Sequence, residues 1–308
     1  MSTEVSRNQE YGFTIMGNGV SKEAEFYIEG LLEKGSVTTL AGAPGTGKTA
    51  LMLQLTESIM TGKSFNGLAV LNQARVMWVQ YDSTRNQFER YCSRYSPDAT
   101  FPALTLSGTR KINIAKDTDY LIELCKTEGV EIVIFDTLAT IARNYDENNN
   151  VHMTEVYDKF TTMADSNIAV IILHHMSKGE YGPSTNVRGA SAITASTYNE
   201  WKLVECKSKD AVEFRITKSR EVEKRTVFTF RVSKDSITLL EESNPLEERC
   251  AKVIEHLKEH GQATRAELQT MLDVHHHTLQ PVLEAITAMP IIEKTKSGKA
   301  DVYKYIGK

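Results

Sequence analysis

The sequence has no apolar run approaching the roughly 18 residues a membrane-crossing helix needs. It also lacks a leading basic-then-apolar signal pattern, so the cytoplasm is the expected location and no membrane partner is expected. Cysteine is sparse. Cys92, Cys125, Cys206 and Cys250 are far apart and form no C-x-x-C pair, so neither a zinc cage nor a disulfide framework is indicated, and a reducing compartment is the plain reading. A basic excess is missing as well. With 36 Lys and Arg against 40 Asp and Glu, the net charge is −4, which argues against coating nucleic acid by bulk charge and leaves only local basic patches. What remains is an ordinary globular composition, 41% hydrophobic and 25% charged over 308 residues, enough for one large core and a small second domain.

Against that background one stretch stands out. Gly42, Ala43, Pro44, Gly45, Thr46, Gly47, Lys48 and Thr49 fit the pattern G-x-x-x-x-G-K-[ST]. An apolar run ending Thr38 to Ala41 precedes it, and Ala50 begins a helical pattern with Leu51, Leu55 and Ile59 on one face. Glycines let the backbone wind tightly, so that successive N–H groups and the helix N-terminus can point at phosphate oxygens. Residues 42–50 are therefore the expected binding segment for ATP. Lys48 would reach the β- and γ-phosphates, and the Thr49 hydroxyl would hold Mg²⁺.

Strand and helix patterns alternate after this loop. Arg75 to Asp82 and Glu131 to Asp136 are apolar runs that each end in an acid, and Ile168 to Leu173 is a buried run followed by His174 and His175. From Tyr198 the apolar period changes to two, predicting antiparallel strands up to about residue 240. Asp136, at the C-terminal end of its strand, is the expected Mg²⁺ partner of Thr49. Asp82 is the candidate general base for the attacking water, or else a helix cap. His174 is a candidate contact to the γ-phosphate, or else a plain strand-end histidine. Lys218 and Arg220 are candidate cations reaching a neighbouring subunit's phosphate, or else a solvated basic edge strand.

In combination, residues 42–49, Asp82, Asp136, His174, the Arg188 to Ala192 segment and the Lys218-x-Arg220 pair resemble the RecA-like ATPases of the RepA type, relatives of DnaB replicative helicases. The likeness covers roughly residues 25–241. It implies an α/β fold with a P-loop core whose mainly parallel sheet is extended by antiparallel strands. It also implies an ATP- and Mg²⁺-dependent helicase: a ring, usually a hexamer, with nucleotide between subunits and single-stranded DNA in a central channel. The loops after Asp136 and His174 would face that channel, with Arg143, Lys178 and Arg188 as phosphate contacts. Two departures stand out. Family members carry Glu where this chain has Asp82, and the Gly that often follows the K-x-R pair is replaced by Glu221 and Val222. A recombination or strand-annealing ATPase and a nucleotide-switched DNA-binding regulator are the alternative functions.

The domain reading is an N-terminal arm over 1–24, the ATPase core over 25–243 and a small domain over 244–308. Three helical patterns followed by a hairpin turning at Ser297 and Gly298 are similar to winged-helix domains. Such a domain would contact duplex DNA or a protein, and Lys294, Lys296 and Lys299 on the hairpin would approach backbone phosphate.

Overall fold

A computed structural model describes residues 24–108, 110–175, 191–206, 211–219, 227–232, 237–243, 245–272, 274, 276–297 and 300–307. The main sheet is built from β3 (Val37–Gly42), β4 (Arg75–Gln80), β5 (Ala103–Thr105), β6 (Val130–Asp136), β7 (Ala169–His175), β8 (Asn199–Glu205), β9 (Ala211–Lys218), β10 (Val227–Val232) and β11 (Ile237–Ser243). Its spatial order is β11-β10-β9-β8-β3-β7-β6-β4-β5. Every pairing from β5 to β8 is parallel, and every pairing from β8 to β11 is antiparallel. This is the α/β arrangement that the RecA-like resemblance implies. Two short strands before it, β1 (Phe26–Ile28) and β2 (Leu32–Glu33), form a separate antiparallel pair that the periodicity did not predict.

Helices cover both faces of the parallel part, and strand alternation decides which residue meets which helix. In β4, Val76 and Trp78 join one buried cluster with α1 (Lys48–Thr61) and α2 (Arg85–Tyr95), whereas Met77 and Val79 join the other, with α3 (Ile114–Glu128) and α5 (Asn150–Asp165). The same division separates Ile132 and Ile134 from Val133 and Phe135 in β6, and Ile171 and Leu173 from Val170 and Ile172 in β7. Strands buried on both faces read as continuous apolar runs, which is why these were legible in the sequence. A four-residue helix, α4 (Leu138–Ile141), follows β6, and α6 (Ser191–Ser196) precedes β8.

Helix ends carry local signals. Gly62 and Gly129 stop α1 and α3 in the left-handed conformation, where a side chain would be strained. Thr84 caps α2, accepting from the Gln87 N–H while the Gln87 side chain reaches back to the Thr84 N–H, a reciprocal pairing that satisfies two otherwise open donors.

The last residues form α7 (Pro245–His260), β12 (Gln262–Thr264), α8 (Arg265–Leu272), α9 (His276–Thr287), β13 (Ile292–Ser297) and β14 (Ala300–Tyr305). Their strands make a three-stranded sheet in the order β12-β14-β13, one strand more than the expected hairpin. A buried cluster drawn only from residues 250–303 includes Val253, Leu257, Leu268, Leu279, Val282, Leu283, Ile286 and Tyr303. Thr264 and Glu267 form the expected capping box of α8. Pro281 lies within α9, beyond the first turn where its missing N–H would cost nothing.

Candidate nucleotide site

The loop between β3 and α1 sits at the C-terminal edge of the parallel strands, where open α/β sheets bind ligands. Its glycines are there for space and for φ. A Cβ on Gly42 would lie 2.9 Å from Thr46 Oγ1 and 3.0 Å from the Leu203 carbonyl of the neighbouring strand. Gly45 and Gly47 have φ of 85° and 91°, so the chain can turn into the helix with its N–H groups gathered on one side. The Lys48 ammonium folds back over this turn and donates to the carbonyls of Gly42 and Ala43, both at 2.9 Å.

Thr49 and Asp136 meet as the spacing predicts: the threonine hydroxyl donates to Asp136 Oδ2 at 2.8 Å. Asp136 is 2% exposed, and burial, aided by the nearby Asp82 charge, pushes its carboxyl up to about 6 against the opposing Thr49 bond and Lys48 charge. Lys48 shows the mirror effect. Burial pulls its ammonium down to about 8 against the pull of Asp136 and Asp82. A triphosphate would favour the charged lysine and a divalent cation the charged carboxylate, so both groups fit the nucleotide and Mg²⁺ that the loop implies. Among the described residues no cluster of three or more His, Cys, Asp and Glu could hold a metal without such a ligand.

A cavity of about 510 Å³ opens beside the loop, lined by residues that include Gly45, Gly47, Lys48, Thr49, Asp82, Asp136 and His175. Asp82 is exposed and lies two residues before the Thr84 cap, so it is not the helix cap. The opposite wall is α2, which contributes Gln87, Arg90, Tyr91, Arg94 and Tyr95. Sequence reasoning missed this wall, although the apolar and aromatic spacing after Asp82 was visible.

The two histidines are exchanged relative to expectation. His174 is 1% exposed and does not line the cavity, whereas His175 does. The reason is parity. Leu173, the register partner of Asp136, faces the α1 cluster, and His175 two residues on continues that face, while His174 follows Val170 and Ile172 to the other side. His175 Nδ1 is buried with no protein partner, and burial together with the Lys48 charge lowers its pKa, favouring a neutral ring beside the cavity. Counting by twos from Asp136 and Leu173 would have selected it.

Lys218 does not point into this cavity. Its ammonium donates to the carbonyls of Thr194, Ala195 and Thr197 at the end of α6. Of the expected DNA contacts, Arg143 is exposed with its Nε on the Thr140 carbonyl at 2.8 Å. Lys294 is paired with Asp301 at 2.9 Å and lies over the Tyr303 ring, and Lys296 faces the same Asp301 across the hairpin. One of that hairpin's lysine charges, that of Lys294, is therefore answered within it. The basic residues of the late strands are likewise partly neutralised, Lys202 by Glu200 and Arg215 by Glu213. Lys178, Arg188, Arg220 and Lys299 lie outside the described residues.

A glycine turn at the edge of a parallel sheet, a lysine over it, and a threonine joined to a buried strand-end aspartate define a P-loop nucleoside triphosphatase. A family model described as AAA domain matches residues 17–180, more than half of the chain, and the chain belongs to that family. Among solved structures, the flagellar accessory protein FlaH from Methanocaldococcus jannaschii is similar at a TM-score of 0.49 and 16% identity, covering 68% of this chain and 90% of that one. A comparison with curated proteins returns no match. No described helix is long and apolar enough to cross a membrane.

Proposed function

We propose that this ATPase is a Mg²⁺-dependent motor of the RepA type that acts on single-stranded DNA in the replication of a plasmid, phage or mobile element. The observation that carries the proposal is the convergence of Lys48, the Thr49–Asp136 pair, Asp82 and His175 on one cavity at the edge of the sheet. In this reading the loop N–H groups and Lys48 bind the phosphates, and Thr49 and Asp136 hold the cation, which supplies charge neutralisation on the triphosphate. Asp82 accepts a proton from the attacking water. His175, neutral and facing the same space, can hydrogen-bond either that water or a phosphate oxygen. Tyr91 and Arg90 on the α2 wall offer a stacking surface for the base.

The DNA part of the proposal rests on topology. β6 and β7 are adjacent parallel strands, so the chain leaves Asp136 and His175 side by side into the two segments that the family resemblance assigns to a channel. Tension on those segments is thus applied next to the reacting phosphate. The working form would be a cytoplasmic ring, in hexamer size, with Arg220 of one subunit stabilising charge on its neighbour's phosphate. Residues 244–308 would serve as a winged-helix unit. The paired charges of the β13–β14 hairpin favour a protein partner or weak phosphate contact over strong DNA binding there.

Two assays test this. ATP turnover should rise several-fold with single-stranded DNA, and the ATP-loaded protein should separate a forked duplex. Stimulation without unwinding, with long arrays coating single strands, would reassign the chain to the recombination ATPases. No stimulation at all would make it a nucleotide-switched regulator.

A further inference from the structure

Asp82 faces the nucleotide cavity from a short turn, two residues after β4 ends and three before α2 begins. A general base has to stay within hydrogen-bond reach of the proton it takes, so an exposed turn that carries one must be held by its neighbours.

Gln80, the last residue of β4, does the holding. It is 1% exposed and is the register partner of Asp136 on the adjacent strand. Alternation from Val76 and Trp78 places it on the α1 side of the sheet, the side on which Asp136 follows Ile132 and Ile134. Its amide folds back onto Ser83. The oxygen accepts from the Ser83 hydroxyl at 2.9 Å and the Ser83 N–H at 3.0 Å, while the nitrogen donates to the Ser83 carbonyl at 3.2 Å. With the amide turned over, oxygen would oppose the carbonyl and nitrogen the N–H, and only the hydroxyl contact would survive. Taking both the N–H and the C=O of one residue is what a paired antiparallel strand does. Gln80 does it with a side chain.

Other contacts fix the rest of the turn. The Tyr81 N–H donates to the Asp136 carbonyl at 3.0 Å, and the Tyr81 hydroxyl, on the opposite face, accepts from the Ile112 N–H at 3.1 Å. Thr84 caps α2. Asp82 thus stands between two anchored residues, and its charge is felt at both Lys48 and Asp136. Packing alone does not call for an amide here, because burying one beside apolar Val76 and Trp78 costs free energy unless its groups are paired.

We infer that Gln80 is a positioning residue for the general base: through Ser83 it fixes the turn that carries Asp82, and so sets where the base stands relative to Asp136 on the neighbouring strand. This rests on the reading of Asp82 as the base proposed above. The phosphate loop, which binds the nucleotide, is not part of the clamp, so its loss falls on kcat.

A double-mutant cycle in the full chain, read as turnover of ATP with Mg²⁺, is the test. Gln80→Leu fills the space without the three bonds and should lower kcat by about tenfold, with KM and nucleotide affinity within about twofold. In the Asp82→Asn background the same change should cost less than about twofold, because an absent base needs no positioning. Equal losses in both backgrounds would overturn the proposal, since a general disturbance of the site acts with or without the base. Wild-type kcat in Gln80→Leu would also overturn it. Wild-type turnover in Asp82→Asn alone would remove the base itself, and this proposal with it. Because Gln80 is buried and its loss can disturb folding, half-buried Ser83 provides a second arm. Ser83→Gly deletes the hydroxyl contact and loosens the backbone that Gln80 holds. It should lower kcat severalfold when Asp82 is present and leave Asp82→Asn unchanged. No loss in Ser83→Gly, or the same loss in both backgrounds, would overturn the clamp.

Discussion

The phosphate loop and the α6–β9 corner use the same chemistry for different ends. In each, a lysine ammonium is wrapped by backbone carbonyls, those of Gly42 and Ala43 around Lys48 and those of Thr194, Ala195 and Thr197 around Lys218. Lys48, however, lines a cavity of about 510 Å³ that also holds Asp82, Asp136 and His175. Lys218 closes the end of a helix packed in its own subunit. A lysine bound to carbonyls is thus not informative by itself. The space in front of it, and the charges that share that space, separate a ligand-binding lysine from one that fastens a helix.

The sharpest way to break this contrast is Lys48→Ala. Turnover should fall by about a thousandfold, the scale of losing a cation from a phosphoryl-transfer site. In a phosphate-release assay, unchanged turnover would end the ATPase reading, and an equal loss in Lys218→Met would erase the contrast. Next in size is Asp82→Asn, expected to slow hydrolysis by roughly a hundredfold while nucleotide affinity, measured by titration, stays within about twofold. Asp82→Glu should hydrolyse at least as fast as wild type, because the longer acid still reaches the cavity.

A smaller effect sharpens the histidine assignment. His175→Ala should lower kcat by about tenfold with the melting temperature little changed, as for loss of one hydrogen bond to the reacting group. His174→Ala should do the reverse, because it empties a buried position on the opposite face of β7. Least effect on turnover is expected from Leu283→Ala, in the cluster formed by residues 250–303. It should cost that cluster about 3 kcal/mol by thermal melting and leave basal ATP hydrolysis at the wild-type rate. A parallel loss of hydrolysis would show that the two cores stand or fall together.

How much of this was legible varies with the reach of each interaction. The phosphate loop reads directly because its eight residues are contiguous and their conformation is local. Asp136 and Asp82 read because an apolar run ending in an acid marks a strand edge. Which histidine lines the cavity was not legible, because a strand's facing is set by its neighbours, through the pairing of Leu173 with Asp136. The α2 wall escaped notice because nothing local ties Tyr91 to a loop about forty residues earlier. Nor could spacing reveal that Asp301 answers Lys294, or that a bulge turns Lys218 from an outward cation into a helix anchor.

The sequence by itself determined that this chain binds a triphosphate and that its core is a parallel sheet with an antiparallel extension. Those features follow from glycine geometry and from hydrophobic period, which act over a few residues. Only the tertiary structure decided which histidine lines the cavity, which basic residues are already spent on partners, and that α6 is tied at both ends. Each of these depends on groups far apart in the chain brought within hydrogen-bond reach, and strand register and a single extra residue at Thr217 control which groups those are.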